Sequence, residues 1–534
     1  MQKNLILAVV LSSAVYILWY ALIEKPRPKP LAPAAQQSQN AGVQPSVSSS
    51  QSPVSGSQFP AAGSQFPAAG SQFPAAGSQP AATLKSDWQK NAVEIKLDKA
   101  SYFFHAAGAS VKSIIYQGPV APLELIPEPS PGFLSSFENL NFTLKNRSHD
   151  SVTFSAPASN DITVTKKFTL NGKNRISLLE ISASNAGSTT AELPQWQLKL
   201  GPGLGTVGNE KKENPSLWKA QYTIVEEGKK HPTVKTLKES RKTGEWLWAG
   251  IDNRYFLAAV LGGDLKSDEL ALSEPKIDDK EAPLLAIPVA AVGVAPQETR
   301  TWRVEFYIGP KDYRLLQELG HGLDRSVDFG FFSPLAKLAN SALVYFYQLT
   351  GNYGAAIVIL SVLLQIMITP LSLKSYKAMA VMKKIQPEMQ SIQARYKKDP
   401  KRLNAEILEL YKKHGTNPLG GCLPMLLQIP VFFALFTALR NSWNLHGAHF
   451  IFWIKDLSAK DPYYVLPLVM GAIMFLQQHL NPQGGDPTQA AMMKWMPVVF
   501  TFMFLTFPSG LVLYWLINST WGFAQTLYIQ RRTA

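Results

Sequence analysis

The sequence predicts an α-helical polytopic membrane bundle of six transmembrane helices with a large extracytoplasmic all-β sandwich domain. Two observations carry this. The apolar residues gather in a few long blocks, the signature of spans, whereas the stretch from about Leu84 to Leu323 alternates apolar and polar residues with turn residues between.

Residues 5–23 form an apolar run of about 19, longer than the roughly 7 to 15 residues of a signal-peptide core, so residues 1–23 are expected to be an uncleaved signal anchor. Trp19 and Tyr20 near its far end suit the interfacial aromatic belt. Residues 24–83 are rich in Pro, Ala, Ser, Gln and Gly and repeat GSQFPAA from Gly56, Gly63 and Gly70. A Pro and a Gly in every unit forbid continuous helix and leave a disordered tether. In residues 84–323 the pairs Val152/Phe154, Ile162/Val164 and Ile176/Leu178, and the run Trp302, Val304, Phe306, Ile308, read as strands. About 240 residues suffice for a sandwich with a well-buried core. Phe331, Phe332, Leu335, Leu338, Leu343, Tyr345 and Phe346 then mark residues 324–350 as an interfacial amphipathic helix.

Residues 351–534 hold five further spans, expected at 353–373, 421–440, 463–480, 495–507 and 510–529. The last two are separated because residues 496–529 as one helix would run roughly 51 Å against a hydrocarbon core of about 30 Å, and Phe507-Pro508-Ser509-Gly510 supplies a break. The first of this pair offers only about 20 Å of apolar helix, so the bilayer is expected to thin there. Residues 374–414 form a loop with two helical patterns, 376–397 and 402–413, divided at Lys398-Asp399-Pro400: a cytoplasmic helical hairpin.

The formal charge of +14 raises nucleic acid, anionic lipid and acidic partners alike, and position decides among them. Eleven Lys or Arg residues against four acids between Lys374 and Lys413 give +7 between two apolar blocks, which places that loop in the cytoplasm and suits anionic lipid, without direct nucleic-acid recognition. Lys25, Arg27 and Lys29 after the first span oppose this orientation. The +7 loop and Arg531-Arg532 outweigh them, and six spans with both termini cytoplasmic satisfy both groups. The β domain then faces the periplasm and the chain resides in the inner membrane. With Cys422 as the single cysteine, no intrachain disulfide is possible.

No nucleophile elbow, zincin, phosphate-loop or dinucleotide motif stands in a convincing context, and His446 with His449 is too sparse for a metal centre. The chain is therefore expected not to be an enzyme and to carry no metal or cofactor. More informative are neutral polar residues inside the spans, which must find partners or line a wet cavity. Ser361, Gln365 and Thr369 share one helical face; Gln428, Thr437, Gln477 and Gln478 lie in the next two spans; Asn518 and Gln525 share a face of the last. Interhelical glue and a polar groove account for them equally well.

Three motifs in order, Asn417-Pro418-Leu419-Gly420-Gly421-Cys422 with Pro424, Asp456-Leu457-Ser458 followed by Asp461-Pro462-Tyr463-Tyr464, and Phe507-Pro508-Ser509-Gly510-Leu511-Val512-Leu513-Tyr514, resemble the YidC branch of the YidC/Oxa insertase family over residues 327–531. The resemblance implies a membrane protein insertase and chaperone: a bundle with a hydrophilic groove, here Ser361, Gln365, Thr369, Gln428 and Asn518, that shelters a substrate's polar residues as it slides into the bilayer without ATP. It makes Cys422, Leu423, Pro424, Pro430, Phe504 and Tyr514 candidates for greasy contact with the substrate helix. The hairpin, with Lys383, Lys384, Arg395, Lys397 and Lys398, would receive nascent membrane proteins, and the ribosome and the Sec translocon are implied partners. Two departures stand out. Gln365, five residues before Pro370, occupies the position of the family's usual groove Arg, and only Gln530 to Ala534 follow the last span where many relatives carry a longer basic tail.

Two rivals remain. A transporter or channel would use the same polar residues, but lacks intramembrane charges and an evident inverted repeat. A membrane-anchored periplasmic carbohydrate-binding protein would leave five spans unexplained.

Overall fold

The computed structural model describes residues 92–534 apart from 160, 174, 229–230, 266–268, 398, 416–422, 481–486 and 534, with the side chains of 376–380, 383, 423–427, 487–494 and 532–533 also outside the described set. The expected anchor and tether lie outside the described residues.

Period-two patterning becomes sheet from Val93 to Pro310. A nine-stranded antiparallel sheet runs, edge to edge, through Thr233–Thr236, Lys219–Ile224, Trp248–Asp252, Phe256–Leu261, Thr299–Pro310, Ser177–Asn185, Ile162–Thr169, Ser151–Pro157 and Thr143–Arg147. Two four-stranded sheets accompany it, one of Val93–Lys96, Ala100–His105, Ser110–Gln117 and Pro122–Glu124, the other of Trp196–Leu200, Leu284–Val289, Glu269–Ser273 and Arg241–Thr243. Their shared core holds Phe104 against Phe168 with ring centroids 4.8 Å apart. Val152, Phe154, Ile162, Val164, Val304 and Phe306 all point into it. The Ile176/Leu178 pair is out of phase: Ser177, Leu179, Ile181 and Ala183 are the buried set, and Leu178 turns to the opposite face. A strand with apolar residues on both faces gives no phase from one pair alone.

One inward position of the Ile162–Thr169 strand carries an amine. Lys166 follows Val164 and precedes Phe168 on the buried face of its strand, fully enclosed. Its ammonium donates to the carbonyls of Gly108 at 2.7 Å and Leu134 at 2.9 Å and lies 5.5 Å from the Phe168 ring centre. Burial pushes its pKa down to about 7.

Among the described residues seven α-helices follow Ser326: α1 Ser333–Thr350, α2 Tyr353–Arg395, α3 Pro400–Lys413, α4 Leu423–Arg440, α5 Val465–Leu480, α6 Pro487–Phe504 and α7 Ser509–Thr533. Asn352 caps α2 by accepting from the Ala355 amide, and Asp399 caps α3 by accepting from the Arg402 amide. Residues 374–414 differ from the expected loop: the first arm of the hairpin is the continuation of the preceding apolar helix, and α2 runs 43 residues through Pro370 and Pro387. Each proline removes one backbone donor, and the helix continues through both. The arms of α2 and α3 close over Ile385, Met389 and Leu410, with Ile392 and Tyr411 beside them. Among the described residues Tyr353–Ser375 has both the length and the mean hydropathy, 2.3, of a span; Gln428–Arg440, Val465–Leu480 and Trp495–Phe504 are apolar but shorter.

The sheets and the helices share a packed junction. Trp248, Leu257 and Tyr307 meet Leu316, Leu323 and Phe329, and these meet Ala336 of α1 and Ala434 and Ala438 of α4. Beyond α4, Trp443 enters an aromatic box whose ring centres lie at 4.9 Å (Phe256), 5.4 Å (His446), 5.9 Å (Tyr116) and 6.0 Å (Tyr255). His446 is buried there, 3.2 Å from the Ser458 hydroxyl and 3.5 Å from Asp456, and burial lowers its pKa against the pull of Asp456.

The lysine makes a pH prediction. With a folded pKa near 7 and an ordinary unfolded value, the unfolded state binds the extra proton between those limits, so stability rises with pH from about 7 to about 10.5 as far as this group decides. Thermal unfolding of the detergent-solubilised chain should show this alkaline gain, and Lys166→Met should remove it.

Candidate functional site

Several of the spans' neutral polar residues join into one ladder. On α2, Ser361 is fully buried and its hydroxyl donates to the Ile357 carbonyl at 2.6 Å, back-bonding within the helix. One turn on, the Gln365 amide donates to Asn518 Oδ1 of α7 at 2.6 Å. A further turn on, the Thr369 hydroxyl donates to the Gln365 carbonyl at 2.6 Å and accepts from the Gln525 amide at 2.7 Å and the Trp521 indole at 3.1 Å. From α4, Gln428 donates to the Tyr514 hydroxyl at 2.7 Å, and that hydroxyl also engages Asn518. The α7 contribution is a single stripe, Tyr514, Asn518, Trp521 and Gln525, at helical spacing.

Four of the five residues expected to form the groove, Gln365, Thr369, Gln428 and Asn518, are rungs of this ladder, and Ser361 lies on the same α2 face with its hydroxyl bonded within its own helix; every rung is uncharged. Ser372 and Ser375, both buried, extend the α2 face toward the hairpin. Sequence reasoning missed them and Trp521, although the same helical spacing counted on from Gln365 and Ile368 reaches both serines. Trp521 was overlooked because an indole counts as apolar while its N–H is a donor.

The candidate substrate contacts fall apart as a group. Cys422 lies outside the described residues; Leu423 and Pro424 open α4, but their side chains do too. Pro430 is half-buried within α4. Phe504 is fully buried, its ring 5.0 Å from Phe507 and 5.2 Å from Trp515, so it fills the bundle core and offers no open surface. Tyr514 is likewise buried and acts as a rung. On the hairpin Lys384, Arg395 and Lys397 are exposed, whereas Lys398 and the Lys383 side chain lie outside the described residues.

The other motifs have structural causes. Asp461 is buried and accepts from the Tyr463 and Leu466 amides at 3.0 and 2.8 Å, capping the start of α5. Asp456 accepts from the Ser458 amide and hydroxyl at 2.8 and 2.7 Å. The carbonyls of Leu457 and Ala459 then take the amides of Gly510 and Ser509 at 2.9 and 2.7 Å, stitching the α6–α7 turn to this loop. A Cβ at Gly510 would come within 3.2 Å of both the Leu457 carbonyl and the Ile357 side chain. These motifs tie the starts of α5 and α7 to one loop, and the ladder begins a turn further along α7.

If Gln428 and Tyr514 act as a rung, Gln428→Leu and Tyr514→Phe should each destabilise the bundle and couple by about 0.6 kcal/mol, at most ~1.7, the range for hydrogen bonds in bilayers. A double-mutant cycle on unfolding in mixed micelles measures this.

Residues 119–339 match the family model described as the YidC periplasmic domain, and residues 345–534 match that of the 60Kd inner membrane protein. The membrane protein insertase YidC of Endomicrobium trichonymphae is 41% identical over 423 residues, which cover 77% of this chain and 79% of that protein. Its counterpart in Geobacter metallireducens is 34% identical over 565 aligned positions, covering 100% of this chain and 99% of that one. A crystal structure titled as an active YidC insertase with the first transmembrane domain resolved aligns with 83% of this chain and 93% of its own, at 18% identity and a TM-score of 0.39.

Proposed function

The chain belongs to the YidC family of membrane protein insertases, inner-membrane proteins with a periplasmic domain, and on that premise we propose that its uncharged ladder is the path along which nascent membrane proteins enter the bilayer. The observation that carries this reading is the chain of exchangeable bonds from Gln428 through Tyr514, Asn518 and Gln365 to Thr369. Each rung averages about 0.6 kcal/mol in a bilayer, so opening several costs a few kcal/mol. That is comparable to the ~2.5 to 3.5 kcal/mol of placing one charged residue at the bilayer centre on insertion scales. A substrate segment whose polar groups replace the protein's own partners can therefore open the ladder at little net cost. No reaction is catalysed in this scheme and no nucleotide is consumed.

The finer arrangement belongs to the same proposal. Six spans are counted with an anchor in residues 1–23, a tether in 24–83, the β domain in the periplasm and both termini in the cytoplasm. Helix α1 lies at the outer interface, supported by its exposed Leu338, Tyr345 and Leu349 and by Phe331 just before it. The exposed bases of the hairpin, Lys384, Arg395 and Lys397, suit anionic lipid and the nascent chain. The Sec translocon and the ribosome are its proposed partners.

Two experiments test this. Purified protein in liposomes, offered a small membrane protein made by in vitro translation, should protect the translocated segment from protease without the Sec translocon. Removal of residues 382–410 should abolish that protection, and a Gly/Ser replacement of residues 56–82 should leave it intact. In the same assay Gln365→Arg should be tolerated and Gln365→Leu should impair insertion of acidic and neutral substrates alike, because Leu deletes the central rung. Strong improvement by Arg confined to acidic substrates, with Leu harmless, would assign the work to charge instead of hydration.

A further inference from the structure

The loop between α4 and α5 carries an unusual turn. Residues 450–454 fold back on themselves, with the Phe450 amide donating to the Ile454 carbonyl at 3.0 Å and the Ile454 amide to the Ile451 carbonyl at 3.2 Å. At the tip Phe452 sits at φ +52°, a conformation that bulky side chains rarely adopt, and holds its ring 80% exposed. Ile451 and, across the loop, Tyr463 are also exposed, at 47% and 68%.

The surrounding contacts fix where this tip stands. Asn352, the cap of α2, donates to the Phe450 carbonyl at 3.0 Å. The Phe450 ring covers the first turn of α2 so closely that a Cβ on Gly354 would lie 2.0 Å from it. Phe452 stacks on Trp453 at 5.9 Å, and the Trp453 indole donates at 3.0 Å to Asp461, the cap of α5. The exposed ring is therefore one aromatic step from the cap of α5 and two residues along the chain from Phe450, which covers the start of α2. Lys455 and Lys460, both exposed, flank it. Aromatic rings at the mouth of a span with ammonium groups beside them fit the boundary between acyl chains and phosphates.

We propose that the Phe452 turn, with Ile451 and Tyr463, is a lipid anchor seated in the interfacial layer of the outer leaflet. It rests on the reading of α5 as a span, which continues from Tyr463 without a polar break and exposes Leu468 on its own surface. The anchor fixes the depth of the loop that holds the starts of α2, α5 and α7, and so sets the height of the ladder in the bilayer.

The test places an environment-sensitive fluorophore (NBD) on a single cysteine, Phe452→Cys or Leu468→Cys, in a Cys422→Ser background. The full chain is reconstituted in phosphatidylethanolamine/phosphatidylglycerol vesicles with or without lipids spin-labelled near the headgroup. Phe452 is mostly exposed, so its replacement removes little packing, and circular dichroism checks the fold of both proteins. Blue-shifted emission and quenching by the spin-labelled lipid at both positions are expected. Quenching at 468 with water-like emission at 452 overturns the anchor and leaves the span standing. Water-like emission at both overturns the span reading and the anchor with it. A blue shift at 452 that the labelled lipid does not quench overturns lipid as the occupant and assigns the tip to a protein surface.

Discussion

A polar group in hydrocarbon has no water to fall back on, and the arrangement of the bundle follows from where each one finds a partner. Gln428 reaches across to Tyr514, Asn518 accepts from Gln365, and Thr369 takes two donors from α7. These bonds fix which faces of α2, α4 and α7 meet. Apolar packing alone would leave rotation about each axis weakly specified, because lipid tails compete equally well for leucine surfaces. The same bonds are individually weak, so a bundle set by them is both specified and openable.

A second set of constraints acts at the end of the bundle that meets the sheets. The Arg440 end of α4 is held by hydrogen bonds from Thr437 and Asn441 to the carbonyls of Phe329 and Asp328 and by the Trp443 box. The box draws Tyr116 and Phe256 from the sheets and Tyr255 from the turn before Phe256, so the β domain is a bearing surface for α4 as well as a periplasmic module. Gly447 is pressed against Pro119 and Val120, where a Cβ would meet their side chains at about 3 Å. The helix that brings Gln428 to the ladder is thereby clamped at its far end.

Much of this was legible in the sequence and some of it was not, for separable reasons. Period-two alternation exposed the strands, and helical spacing exposed Ser361, Gln365 and Thr369, because both patterns report one face of an element. The phase of Ser177–Asn185 was lost because both faces of that strand carry apolar residues. The burial of Phe504 and Tyr514 is not legible in the sequence, because hydrophobicity does not say whether a ring faces outward or into the core. The contact of Trp443 with the sheets joins residues more than a hundred positions apart, and no local pattern encodes it. The motifs around Asp456, Asp461 and Pro508 could be seen in sequence, but their reason, amide capping and stitching of helix ends, is visible only in three dimensions.

The continuity of α2 has a mechanical meaning. At about 1.5 Å per residue its 43 residues form a rod of roughly 64 Å, with Gln365 in its apolar half and Lys384 in its basic half. No loop separates the surface that would meet a nascent chain from the face that would shelter it. A tilt or twist imposed on the hairpin therefore reaches the rung between Gln365 and Asn518 along a single helix, softened at its prolines. Pro370 and Pro387, each lacking one backbone bond, are the two places where such a rod bends before it breaks. Arrival of a substrate at one end and loosening of the ladder at the other would then be a single motion, with the stiffness of a helix as its transmission.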